Sequence, residues 1–358
     1  MSSVPTLPGI TSQHVRTPRI TSHVLSSGPA DATDTVVFIH GNASSASFWE
    51  ETMLALPGHI RSFAIDLRGY GDTEDKVIDA TRGLGDWADD VIATLDALGV
   101  TRFHLVGHSL GGMLLYTLAP RAKDGAVRSL TFVAPGSPYG FGGTKDVDGT
   151  PCWPDFAGAG GGLVNAEFAR LLGEKNRDSD NPQASPRVVM NSFYWKPPFK
   201  PAREEDLLSS LLTEKVGADR YPGDAVASTN WPGIGPGVYG PLNAASPKYL
   251  GDSLERFLAM KTKPPALWIR GVDDAIVGDA SLFDIGTLGK LGAVPGWPGE
   301  DAYPPQPMLA QTRRFLDRYG AAGGSYTEVA LEDCGHTPFV EKPAAFNDAL
   351  LAVIKRAS

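Results

Sequence analysis

The stretch Val106-Gly107-His108-Ser109-Leu110-Gly111-Gly112 decides how this chain is read. It spells Gly-x-Ser-x-Gly, directly after the apolar run Arg102-Phe103-His104-Leu105-Val106 and directly before a stretch to Leu118 that is apolar nearly all round. A strand that feeds a helix through such a pentapeptide must turn sharply at the serine. The serine backbone is strained in that turn and only small neighbours fit, which accounts for Gly107 and Gly111. The turn lifts the Ser109 hydroxyl out of a sheet, where a base and a substrate can both reach it. Three fixed positions in five recur by chance. The strand before and the helix after give the pattern its weight.

Working outward, short continuous apolar runs recur at Thr35–Ile39, Ser62–Ile65, Phe103–Val106, Leu130–Val133 and Ala266–Ile269, with a last strand expected at Tyr326–Leu331. Such runs suit strands that helices cover on both faces. The first thirty or so residues read as a β-hairpin containing Ile20–Leu25. Between the strands, Trp87, Val91, Leu95 and Leu98 fall at helical spacing and Gly99 closes the helix. A final helix is expected over roughly Pro343–Ile354. Strands alternating with helices imply a mostly parallel, doubly wound α/β sheet. The alternation breaks between about Pro138 and Met260, where Pro, Gly and aromatic residues crowd. That segment holds too many aromatics for a disordered linker. The expected division is a core of residues 1–137 and 261–358, with an inserted, mainly helical cap over 138–260. Four cap aromatics, Tyr139, Trp153, Trp195 and Trp231, are candidates for a pocket roof; the alternative is that they pack the cap's own core.

Composition narrows the function. The chain has 358 residues, of which 42% are hydrophobic and 20% charged, as in an ordinary globular protein. A formal net charge of -9 disfavours nucleic acid and anionic membrane surfaces, both of which call for a basic face. No basic and apolar leader stands at Met1–Pro5, and no apolar run approaches the length of a membrane span. A cytoplasmic location is the expectation. Cys152 and Cys334 supply neither a disulfide framework nor a metal site, so free thiols are expected. No metal or organic cofactor is implied, and the partner expected is a small-molecule substrate. A homo-oligomer is compatible with the sequence.

A serine hydroxyl is a weak nucleophile until a base takes its proton and a third group holds the base. Asp333-Cys334-Gly335-His336 follows the last strand and places a histidine beyond the sheet's carboxyl edge. The run through Ile269 ends in Arg270-Gly271-Val272-Asp273-Asp274, which places an acid in the same crevice. Ligands of open α/β sheets bind at that edge.

Four blocks now carry a resemblance: Phe38-Ile39-His40-Gly41-Asn42, Asp66-Leu67-Arg68-Gly69-Tyr70-Gly71-Asp72-Thr73, Gly107 to Gly112, and Gly335-His336-Thr337-Pro338-Phe339-Val340-Glu341-Lys342-Pro343. They resemble the α/β-hydrolase fold superfamily, in the esterase- and lactonase-like branch that bears a lid between the sixth and seventh strands. The resemblance covers roughly 35–135 and 262–356 and is specific for fold but not for substrate. It implies Ser109 as nucleophile, His336 as general base and Asp274, three after Gly271, as the acid that orients His336. Some relatives carry the acid after the sixth strand, which here would mean Asp146 or Asp148. An oxyanion needs two donors already in place; the Leu110 N–H at a helix start and the Asn42 N–H are the candidates. His40–Ser45 also resembles the haloalkane dehalogenases, but those use an aspartate where this chain has Ser109.

Among the other polar residues, His40 and His108 read as buried supports. His14, His23, His59 and His104 have no constellation in the sequence, and Arg68 and Asp72 read as braces of their loop. The connection from Asp274 to His336 is long for this fold; Trp297 and Tyr303 could wall a pocket or a subunit contact. The expected activity is hydrolysis of an ester or lactone of a small to medium apolar molecule. The alternatives are a carbon–carbon bond hydrolase of the meta-cleavage type, a perhydrolase, and a ligand-binding protein on the same fold.

Overall fold

A computed structural model describes residues 3–357. Eight strands form one sheet: β1 (Thr11–Arg16), β2 (Thr21–Ser27), β3 (Asp34–Ile39), β4 (Ile60–Ile65), β5 (Phe103–His108), β6 (Val127–Val133), β7 (Ala266–Gly271) and β8 (Tyr326–Leu331). Their order is β1-β2-β4-β3-β5-β6-β7-β8. β1 and β2 form the expected hairpin, and β2 also runs antiparallel to β4; the remaining neighbours are parallel. This is the expected mostly parallel α/β architecture. β5 sits centrally and is buried at every position, the consequence of helices on both faces.

α1 (Glu50–Ala55) contributes Met53 to one face of the sheet, and the opposite face is covered by α2 (Gly85–Ala97) and α3 (Leu110–Leu118). The apolar stripe of α2, including Trp87, Val91 and Leu95, joins a core that contains Leu114, Leu118 and Phe132. Gly99, at φ 71°, closes the turn after α2, where an L side chain would be strained. Tyr116 stacks on Phe132 with ring centroids 4.7 Å apart and meets Phe257 and Phe315 edge-on. Truncating one such fully buried ring to alanine costs about 3–5 kcal/mol. The other face holds Trp49, Phe339 and Phe346, with Trp49 stacked on Phe339 at 4.0 Å.

Between β6 and β7 the chain forms α4 (Ala166–Gly173), α5 (Pro186–Phe193) and α6 (Glu204–Leu211), together with two small two-stranded sheets. Asn165 caps α4 by accepting the N–H groups of Glu167 (3.0 Å) and Phe168 (3.4 Å). Leu172, Met190, Leu208 and Leu211 belong to the same cluster as Trp49 and Phe346. The cap therefore has no separate core on this side; its apolar residues continue the core of the sheet domain. The helix Ser253–Leu258, inside the expected cap span of 138–260, lies against α3, and its Leu254 and Phe257 sit in the first core. Among the described residues, no helix is long and apolar enough to cross a membrane. Cys152 and Cys334 are free and buried. Burial pushes the Cys152 thiol up to about 12.

Candidate active site

Ser109 sits between β5 and α3 with φ 53° and ψ -116°, a left-handed backbone uncommon for a residue with a Cβ. The two flanking glycines have steric reasons. A Cβ on Gly107 would lie 2.3 Å from the Gly111 carbonyl oxygen, and one on Gly111 would lie 2.4 Å from the His40 carbonyl oxygen. β5, α3 and the loop after β3 thus meet backbone to backbone, which the sequence achieves by leaving out side chains. A Cβ on Gly41 would come 2.9 Å from Ser109 Cβ, so Gly41 lets the Asn42 segment approach the serine.

Asp274 and His336 meet for a comparable reason. β7 and β8 are parallel neighbours, with Gly271 opposite Leu331. A Cβ on Gly271 would clash with the carbonyl oxygens of Cys334 and Gly335 at 2.2 and 2.1 Å. The loops leaving both strands therefore run side by side, and the Asp273 N–H donates to the Cys334 carbonyl at 2.9 Å. Three residues after Gly271, Asp274 Oδ2 lies 2.8 Å from His336 Nδ1; both side chains are only 3% exposed. Asp274 Oδ1 accepts the N–H groups of Ile276 (2.8 Å) and Val277 (2.9 Å). The carboxylate is thereby fixed at both ends, and the Nδ1–H of His336 has an acceptor.

None of the three other acids, Asp273, Asp146 and Asp148, has that geometry. Asp273 pairs instead with Lys196 Nζ at 3.0 Å near the surface. Asp146 accepts the N–H groups of Asp148 and Thr150 within its own turn, and Asp148 pairs with Arg314.

Ser109 and His336 both line one cavity of about 360 Å³, together with Asn42, Leu110 and His108. Leu110 opens α3, where the first backbone N–H groups have no partner within the helix. Most of the remaining wall is apolar, with Met113, Phe141, Phe168, Leu242, Ile285 and Leu288 representative, and Asn165, Gln183, Tyr194 and Tyr221 add uncharged polar groups. No Asp, Glu, Lys or Arg is among the lining residues. At the mouth, Phe193 at the end of α5 meets Phe283 edge-on at 5.0 Å. Phe283 is 42% exposed and adjoins Leu282, which is 43% exposed.

All four aromatics expected on the pocket roof lie elsewhere. Trp195 is 1% exposed and belongs to the core under the cap, packed against Tyr194 and Phe199. Trp153 and Trp231 pack with Tyr303 in a small third cluster, and Trp153 Nε1 donates to the Trp231 carbonyl. Tyr139 packs on Phe315 of the first core, and its hydroxyl accepts from Arg318. Of the two aromatics in the long connection, Tyr303 is fully buried and donates to the Gly158 carbonyl, while Trp297 Nε1 donates to the Tyr303 carbonyl. Tyr303 thus braces the pocket wall from behind. That wall is supplied instead by Ile276, Val277, Leu282, Phe283, Ile285 and Leu288, all in the segment after Asp274. No periodicity marked it, and only its length pointed to a function.

The supporting histidines are resolved. His40 Nδ1–H donates to the Gly41 carbonyl at 2.7 Å, and its Nε2 accepts the Leu67 N–H at 3.0 Å. His108 Nε2 lies 2.9 Å from the His336 carbonyl oxygen. Burial lowers the pKa of both, and that of His108 falls well below the usual histidine value. His108 is therefore neutral, and its Nε2–H donates to the backbone of the residue it supports.

His23 and His104 do have partners that the sequence did not show. His23 Nδ1 meets Asp66 Oδ2 at 2.7 Å, and His104 Nδ1 meets Ser129 Oγ at 2.8 Å. Atoms of His23, Asp66 and Asp72 lie within 4.8 Å of one another, the spacing of a metal site. Asp66 is already committed, however, to the N–H groups of Ala46 and Asp72 as well as to His23, so the group ties β2 to the loop after β4. Arg68 braces the same loop through Asp90 at 2.9 Å.

Glu341, in the block from Gly335 to Pro343, has a role that its sequence position does not reveal. Its Oε2 accepts the Gly335 N–H at 2.6 Å and its Oε1 the Lys196 N–H at 2.9 Å. One side chain thus clamps the loop before His336 to the cap.

A model of the alpha/beta hydrolase family matches residues 36–349. The Arabidopsis thaliana protein named "Probable lysophospholipase BODYGUARD 1" is 38% identical over 125 residues, 33% of this chain and 26% of that protein. The chain therefore spans about a quarter of the length of that relative. Among solved structures, esterase RhEst1 from Rhodococcus sp. ECU1013 superposes with a TM-score of 0.59 at 19% identity, covering 98% of this chain and 100% of that one. The enol-lactonase from Burkholderia xenovorans LB400 gives 0.57 at 17%, covering 96% and 100%. At such identities the likeness is one of fold.

Proposed function

The chain belongs to the alpha/beta hydrolase family, and from that premise we propose that it is a serine hydrolase cleaving an uncharged ester or lactone of an apolar molecule. The observation that carries this reading is the fixed Asp274–His336 pair opening onto the same uncharged cavity as Ser109. In the reaction, His336 takes the Ser109 hydroxyl proton as Oγ attacks the substrate carbonyl carbon. The oxyanion accepts hydrogen bonds from the N–H groups of Leu110 and Asn42. His336 then protonates the leaving oxygen as the tetrahedral intermediate collapses to an acyl-serine. Water, deprotonated by His336, attacks the acyl carbon and regenerates Ser109. Asp274 stays ionised throughout, accepts the Nδ1–H and stabilises the imidazolium.

The wall sets the substrate class. A carboxylate or phosphate deep in the pocket would leave water without meeting a counter-charge, a cost of several kcal/mol. Aliphatic and aromatic groups on both sides of Ser109 fit without that penalty. A cavity of about 360 Å³ lies at the small end of the range for ligand pockets, which favours a compact substrate over a long lipid.

A fluorophosphonate probe tests the nucleophile directly. Labelling should be confined to the peptide that carries Ser109 and should vanish in Ser109→Ala. Labelling that persists in that variant, or none in the folded wild type, overturns the assignment.

A further inference from the structure

Around Asn42, several buried polar side chains converge on the segment Asn42–Ala43, and two of them, Tyr194 and Tyr221, also line the cavity. Ala43 is held at φ 45°, a conformation that costs a non-glycine residue about 1–2 kcal/mol. Such strain persists only where the surroundings impose it. The Tyr194 hydroxyl donates to the Ala43 carbonyl at 2.8 Å and lies 3.3 Å from the Asn42 carbonyl oxygen. The Tyr70 hydroxyl donates to Asn42 Oδ1 at 2.8 Å. The Tyr221 hydroxyl faces the Asn42 side chain. The carboxyl of Glu214, a residue only 5% exposed, faces the Ala43 N–H and the Tyr70 hydroxyl without closing a well-formed hydrogen bond to either.

Of these four side chains, Tyr70 belongs to the sheet domain, while Tyr194, Glu214 and Tyr221 come from the cap. Tyr194 also reaches the base: its carbonyl accepts the Thr337 hydroxyl at 2.7 Å, one residue after His336. Burial raises the Glu214 pKa well above the usual carboxylate value, which favours the protonated form, a group that can both accept and donate. The apolar residues around this cage continue from the sheet domain into the cap, so the cap seats on the oxyanion segment as part of one core.

We propose that Tyr194, Glu214 and Tyr221 are positioning residues that hold the Asn42 N–H in place for the oxyanion, so that docking of the cap completes the catalytic site. The inference rests on the serine hydrolase reading above. The cap then does more than roof the pocket: it fixes one of the two donors on which transition-state stabilisation depends. A cage that only glued cap to core would affect melting temperature or substrate affinity, but not the ratio of transition-state to ground-state binding.

The test uses the whole protein with p-nitrophenyl butyrate as substrate and an aliphatic trifluoromethyl ketone, which forms a tetrahedral oxyanion on the serine. Losing one oxyanion donor costs about 100- to 1000-fold in kcat, and displacing it should cost about 10-fold or more. Tyr194→Phe and Glu214→Leu should lower kcat by that factor with KM little changed. Affinity for the ketone should fall in parallel with kcat/KM. Glu214→Gln keeps an acceptor for the Ala43 N–H and should recover most of the loss. Should Glu214→Leu fail to fold, Tyr194→Phe and Tyr221→Phe each remove a single oxygen and carry the test. Folded variants whose kcat and ketone affinity stay within about 2-fold of an active wild type, or whose loss lies wholly in KM, would overturn the inference and leave the hydrolase reading standing. A wild type with no Ser109-dependent turnover would instead overturn the hydrolase reading, and the inference with it.

Discussion

Replacing Asp274 by asparagine should reduce kcat by about 1000- to 10,000-fold while leaving the protein folded, and the structure says why a near-isosteric change is so damaging. Asp274 Oδ1 accepts two backbone N–H groups, from Ile276 and Val277, and Oδ2 faces His336 Nδ1. Asparagine offers one acceptor atom and one donor group, so it must choose an orientation. With its NH2 toward Ile276 and Val277, two donors would face two donors in a site only 3% exposed. Each lost bond leaves a buried N–H unsatisfied, at about 1–3 kcal/mol apiece, or about 2–6 kcal/mol for the pair. The other orientation keeps an oxygen that accepts from both N–H groups and turns the NH2 toward His336. Nδ1 must then present its lone pair, which moves the ring proton to Nε2, the atom that should be free to take the Ser109 proton. A preference of even about 3 kcal/mol places more than 99% of molecules in this wrong tautomer.

The expected loss corresponds to about 4–5.5 kcal/mol of transition-state stabilisation. Initial rates on p-nitrophenyl butyrate, together with thermal melts of both proteins, measure it. KM should change little, because Asp274 does not line the cavity. An Asp274→Asn protein within about 10-fold of wild type would refute the tautomer argument. Asp146→Asn, at the rival acid, should have no effect.

Two further outcomes are expected. The Phe193–Phe283 pair at the mouth should limit the size of the group admitted, so Phe283→Ala should shift the preference along a p-nitrophenyl ester series toward longer chains while acetate changes little; an unmoved profile would show that the pair does not bound the pocket. Stability should fall on acidification below about pH 6.5, because His40, His104 and His108 are buried with lowered pKa values and the unfolded chain binds the protons they refuse. The sign is that of a depressed histidine, with stability full above the unfolded pKa and lost as pH falls toward the folded one. For His104, whose pKa is lowered to about 4, that amounts to about 3 kcal/mol, and His104→Gln should flatten the decline measured as melting temperature against pH.

Much of this molecule was legible before its structure, for identifiable reasons. Buried central strands must be apolar on both faces, so β3, β5 and β7 stood out as unbroken runs, and Tyr326–Leu331 was bounded to the residue. Ser109, Asp274 and His336 were legible because each lies a fixed short distance from a glycine that a close backbone approach requires, at Gly107, Gly271 and Gly335. The pocket wall was not legible. Bulky cap aromatics such as Trp195 were the natural candidates, yet large rings are also what a cap needs to fill its own interior. The lining comes instead from other cap aromatics, Phe141, Phe168, Phe193, Tyr194 and Tyr221, and from Ile276 to Leu288 after Asp274, whose inward direction depends on loop path and not on periodicity. The helix Ser253–Leu258 falls inside the stretch where the alternation breaks, and only its packing on α3 reveals that Leu254 and Phe257 join the first core. The cage around Ala43 joins Tyr70 to Glu214 across 144 residues of chain, a pairing that no local pattern encodes.

The central claim is that Ser109 attacks the carbonyl of an uncharged apolar ester. The most direct test compares wild type with Ser109→Ala on p-nitrophenyl esters from acetate to decanoate, a set of simple lactones, and matched esters carrying a carboxylate or phosphate. Turnover of the neutral esters or lactones that disappears in Ser109→Ala, with the charged analogues poorly used, is the predicted result. Turnover that survives Ser109→Ala, or a preference for the charged analogues, would contradict the account.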